Sequence, residues 1–134
     1  MTHLFVPYEI AEKLNELDFQ ENCIAFFNSE NKELRSKTIF SEYQNQHLRE
    51  AIAAPLFQQV IDWLRDKHNI ELVSLESPDI AGEYEWTLYS DLIREETLHI
   101  DHHKSYYDAL TDGIWKAIEL IETAKKQANE EQES

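Results

Sequence analysis

Apolar residues recur at helical spacing in three stretches of this chain. Ile10, Leu14 and Leu17 stand at i, i+4 and i+7 with Ala11 beside them, while Glu9, Glu12, Lys13 and Glu16 face away. That stripe predicts a helix from Pro7 to about Leu17, and proline suits the first turn, where no N–H is needed. The second stripe is Leu56, Phe57, Val60, Ile61 and Leu64, flanked by Trp63. It predicts a helix from Pro55 to about His68, with Asn69 as a left-handed stop. The third is Tyr107, Leu110, Ile114, Ile118 and Ile121. Ser105 and Asp108 form its capping pair, and Gly113 inside it marks a close packing contact, since glycine costs about 1 kcal/mol there relative to alanine.

Strand spacing fills much of the remainder. Tyr84, Trp86 and Leu88 alternate with Glu83, Glu85 and Thr87, so Glu83–Ser90 reads as a strand with one wet face. Ile70–Glu76 is a second strand, joined to the first by a turn over 77–82 and paired with it as an antiparallel hairpin. Its apolar residues fall in both alternation sets, Ile70 and Leu72 in one, Val73 and Leu75 in the other. A strand apolar on both faces is usually covered on both. Cys23–Asn28 reads as a buried strand, Leu34–Tyr43 as a strand candidate with poor alternation, and residues 44–53 as loop or approach to the second helix. The predicted class is α+β: a small, mostly antiparallel sheet with three amphipathic helices packed on one face. The 134 residues suit one domain over 1–124, followed by a polar tail over 125–134 that frays.

Charge narrows the partners. Twelve Lys and Arg against 27 Asp and Glu leave a formal net charge of −15, of which −11 lies in residues 55–134. Such a chain repels phosphate backbones and anionic lipid, so direct binding of nucleic acid or membrane is disfavoured. No apolar run reaches the length of a bilayer span, and the first residues lack the basic-then-apolar pattern of a signal peptide. Cytoplasmic residence is the expectation. Cys23 is the sole cysteine and sits in the apolar run Cys23-Ile24-Ala25-Phe26-Phe27, which points to a buried structural thiol.

Glycine-rich phosphate loops, paired cysteine motifs, nucleophile elbows and His-Glu-x-x-His are all absent from the sequence, and no cofactor is expected. The densest chemistry is His99-Ile100-Asp101-His102-His103. Imidazole and carboxylate suit zinc, iron or manganese. In an extended segment only alternate side chains converge, which makes His99, Asp101 and His103 the candidate ligands. The competing reading is a polar loop before the third helix, with Asp101 near its positive end. Asp101-His102-His103 also resembles the motif that names the DHH phosphoesterases, but the further acidic and histidine motifs of those larger enzymes are missing here.

The segment Ala53-Ala54-Pro55-Leu56-Phe57-Gln58-Gln59-Val60-Ile61-Asp62-Trp63-Leu64-Arg65-Asp66-Lys67-His68-Asn69-Ile70 resembles a recurrent segment of short proteins from bacteria, phages and integrated mobile elements. Val6-Pro7-Tyr8-Glu9-Ile10-Ala11-Glu12-Lys13-Leu14 and Tyr106-Tyr107-Asp108-Ala109-Leu110 resemble their opening and closing segments. The resemblance implies a bacterial or phage setting and carries no site residue or activity. Three functions remain in competition. One is a non-enzymatic accessory protein that binds an as yet unidentified protein, with a homodimer as the expected assembly. The second is a small metal-dependent enzyme using His99, Asp101 and His103. The third is an acidic mimic of nucleic acid.

Overall fold

A computed structural model of the chain describes residues 2–36, 42–91, 97–98 and 102–133. They group into two compact units, Met1–Trp63 and Leu64–Ser134. Among the described residues, helices α1 (Tyr8–Glu16), α2 (Phe57–His68) and α3 (Tyr106–Glu133) accompany six short strands, all paired antiparallel. This is the expected α+β class with its three helices. The strands, however, form two three-stranded sheets, one per unit, where the sequence pattern had suggested a single sheet.

In the first unit, β1 (Phe26–Asn28) lies between β2 (Leu34–Arg35) and β3 (Ala51–Ala53). Pro7 stands just ahead of α1 in an extended conformation, and its carbonyl accepts the N–H groups of Ile10 and Ala11. Ile10, Ala11 and Leu14 are buried, as the helical stripe requires. Tyr8 meets Phe27 edge to face at 5.6 Å between ring centres. Residues 44–53, read from sequence as loop or approach to the second helix, contain a 3-10 turn at Asn45–His47 and then β3. Buried Asn45 holds them in place: its Nδ2 donates to the Phe19 carbonyl at 2.8 Å, and its Oδ1 accepts the Ala53 N–H at 2.9 Å. One amide thus satisfies two buried backbone groups distant in sequence. At the start of α2, Gln59 Oε1 accepts the Leu56 N–H at 3.0 Å, a side-chain cap for an otherwise orphaned donor.

In the second unit, β5 (Tyr84–Ser90) pairs with β4 (Ile70–Glu76) on one side and with β6 (Thr97–Leu98) on the other. The register runs from Ile70↔Ser90 to Glu76↔Tyr84, the predicted hairpin. Asn69 adopts the left-handed conformation (φ 54°) that ends α2 and releases the chain into β4. In the turn, Ser77 Oγ accepts the N–H groups of Asp79 and Ile80, and Gly82 takes φ 81°. Helix α3 covers one face of this sheet. The Asp108 N–H donates to Ser105 Oγ at 3.0 Å, the predicted cap. Gly113 lies so close to the strands that a Cβ there would stand 2.5 Å from Leu72 Cδ1 and 3.2 Å from Trp86 Cγ. The glycine is therefore the price in helix propensity of close helix–sheet packing. The sequence reading sets 125–134 apart as a tail; α3 continues through them to Glu133, although no described residue beyond Ile121 is buried. Among the described residues no helix is long and apolar enough to cross a membrane.

Candidate functional site

Of the three metal-ligand candidates, His99 and Asp101 lie outside the described residues. His103 is described, and strand geometry decides where it points. Its backbone exchanges two hydrogen bonds with Tyr84, at 2.8 and 3.0 Å, so the two residues sit directly opposite one another. Residues opposite in an antiparallel pair share a face. His103 therefore joins Tyr84 and Trp86 on the side that α3 covers, where its Nε2 lies 3.3 Å from Asp112 Oδ2. The same carboxylate oxygen accepts the Trp86 indole N–H at 2.9 Å. Asp112 thus anchors β5 and the segment before α3 to the helix.

His102 necessarily faces the other way. Its Nδ1 lies 3.5 Å from Glu83 Oε2 and 3.6 Å from Glu85 Oε1, two carboxylates on alternate residues of one extended segment. Both contacts use a single ring nitrogen, so the arrangement is one imidazole edge placed near two acids. No three His, Cys, Asp or Glu side chains among the described residues are disposed to hold a metal ion. Glu83 and Glu85 read from sequence as the wet face of a strand; their histidine neighbour comes from a residue nearly twenty positions away and is not visible in the strand pattern.

The outer face of the second sheet, opposite α3, is the more informative surface. Val73, Leu75 and Tyr89 are 37%, 63% and 47% exposed there. The register sets Val73 opposite Thr87 and Tyr89 opposite Glu71. Tyr89 is thus a diagonal neighbour of Val73, and Leu75 follows Val73 on the same face, giving one apolar stripe across two strands. At one end of it Arg65 Nε meets Glu71 Oε1 at 2.7 Å. At the other end stand Glu83, Glu85 and His102. The face thus has an apolar centre and a charged rim. The signal for it was legible in the double alternation of Ile70–Glu76, whose second apolar set turns out to lie in solvent.

Cys23 is buried, and burial, aided by the nearby Glu21 charge, pushes its thiol up to about 12. A thiol so shifted stays protonated and inert at neutral pH, consistent with a structural role. No protein-family model, curated protein or solved structure matches the chain.

Proposed function

We propose that this protein works by binding another protein, as a non-enzymatic accessory factor in a bacterial or phage setting. The observation that supports the reading is the stripe Val73, Leu75 and Tyr89, exposed on a sheet face whose opposite side packs against α3. Large apolar side chains grouped on one surface and rimmed by charge favour association over solvation. The excess of 15 negative charges turns phosphate backbones away and leaves protein as the class of partner. Capture from a lysate of the producing cell tests this. Wild-type protein should retain a defined partner, and Leu75→Lys, a change at an exposed position, should lose it while melting at the same temperature. An identical set of retained proteins for both baits, or none for either, would remove the reading.

A further inference from the structure

The first sheet has a cleft on its outer face. Phe27 and Ile52 stand opposite one another and turn inward, Phe27 onto Tyr8 of α1. Phe26, Asn28 and Ala51, the alternate residues of β1 and β3, therefore face outward. With Glu30, Arg49 and Glu50 they line a cleft of about 530 Å³, within the range of about 300–1,000 Å³ usual for small-molecule sites. The backbone around it is tied down. Ser29 N–H donates to the Glu50 carbonyl at 3.0 Å and Lys32 N–H to the Asn28 carbonyl at 2.7 Å. Glu50 takes a left-handed φ of 55°, uncommon outside glycine. The Phe26 ring packs on Tyr43 with ring centres 4.9 Å apart, which fixes the apolar part of the lining.

The charges around the cleft are of both signs and do not neutralise one another. One step beyond the Ser29–Glu50 hydrogen bond stand Glu30 and Arg49, an acid on one chain segment and a cation on the other. Among the described residues neither side chain makes an ion pair, so the two charges stand apart in the same cleft. Asn28 Oδ1 accepts the Glu30 N–H at 2.9 Å, which leaves the Asn28 NH2 group to donate to a ligand. Glu30 and Glu50 repel a simple anion, and Arg49 repels a simple cation. A ligand that carries both charges beside an apolar group satisfies all of them. We propose that this cleft binds a free α-amino acid with an apolar side chain. The ligand carboxylate accepts hydrogen bonds from the Arg49 guanidinium and the Asn28 NH2. Its ammonium donates to Glu30, with Glu50 beside it, and its side chain lies on the Phe26 ring. The site belongs to the first unit and does not depend on the contact surface of the second sheet.

Titration of the full chain with L-phenylalanine, followed by NMR of protein and ligand, provides the test. N-acetyl-L-phenylalanine, which lacks the ammonium, and L-phenylalanine amide, which lacks the carboxylate, serve as comparison ligands. Phenylalanine should bind with a Kd of about 1 mM or tighter, as expected for a dozen-atom ligand in an open cleft. Each comparison ligand should bind about tenfold or more weakly, the effect of losing one charge-assisted contact. Arg49→Gln should weaken phenylalanine by a similar factor and leave the amide unchanged. Glu30→Gln should weaken phenylalanine and leave the N-acetyl compound unchanged. Both substitutions are at exposed positions, and circular dichroism confirms that each variant is folded. Absence of binding at about 10 mM phenylalanine, ten times the expected Kd, overturns the proposal. So does equal binding of all three ligands, or phenylalanine binding that survives both substitutions.

Discussion

Replacing Trp86 by alanine is expected to destabilise the protein by about 3–5 kcal/mol, the usual range for deleting a buried tryptophan. Its ring is buried in the middle of β5 and packs on Gly113, where α3 comes close enough to the strands to exclude a Cβ. The substitution removes this contact and also takes the indole N–H away from Asp112. Small domains have only about 5–15 kcal/mol in total, so a large part of the native population should be lost at 37 °C. Trp86→Phe separates the two contributions. It keeps most of the apolar volume and removes the donor, and should cost about 1.5–3 kcal/mol, the scale of a hydrogen bond to a charged group. Urea midpoints of the three proteins measure both effects. An alanine variant within about 1 kcal/mol of wild type would show that α3 does not depend on this ring for its seat on the sheet.

Phe19→Ala should be comparably severe in the first unit, again about 3–5 kcal/mol. Phe19 is fully buried and lies against Trp63, with ring centres 5.3 Å apart at an interplanar angle of 64°. Its backbone is equally engaged: the N–H donates to the Leu14 carbonyl at 3.0 Å, and the carbonyl accepts Asn45 Nδ2. The preceding Asp18 sits at φ 66°, a left-handed turn that returns the chain from α1. Loss of the ring leaves a cavity at the junction of α1, the 3-10 turn and α2 that the clamped backbone has little freedom to close. Thermal unfolding followed by circular dichroism should show a fall in melting temperature of more than five degrees, given at least about 2–4 °C per kcal/mol for domains up to this size and beyond. A fall of a degree or two would mean that the Phe19–Trp63 contact is incidental to the first unit.

The elements read best from sequence are those whose side chains alternate or repeat without help from distant residues. Helices α1 and α2, the hairpin of β4 and β5, the Asn69 stop and the Ser105 cap all carry local signals, and each stands within a residue or two of its expected place. The first sheet carries almost none. Ala51–Ala53 is three residues long and shows no alternation; what makes it a strand is pairing with Phe26–Asn28 and the Asn45 clip, both long-range. Of the strand candidate Leu34–Tyr43, Leu34 and Arg35 pair with β1 and Tyr43 pairs with Cys23, while 37–41 lie outside the described residues. At the candidate site, the alternation rule places His102 and His103 on opposite faces, and the structure does so. Which face each takes depends on the bridge to Tyr84, a contact across nineteen residues that no local pattern encodes. The exposed stripe is half legible: Val73 and Leu75 read as a second apolar set, while Tyr89 joins them only through the register with β4, which no local pattern encodes.

The most direct measurement of the central claim, that the outer face of the β4–β5 sheet is a protein contact surface, is site-specific photo-crosslinking in the producing cell. A photoreactive phenylalanine analogue at Leu75 samples the middle of the stripe, and the same group at Glu130 samples the exposed end of α3 as a control. The account predicts a discrete crosslinked protein from position 75, a second copy of the chain or a distinct partner, and none from position 130. Irradiation that yields no product from position 75, or the same products from both positions, would contradict it.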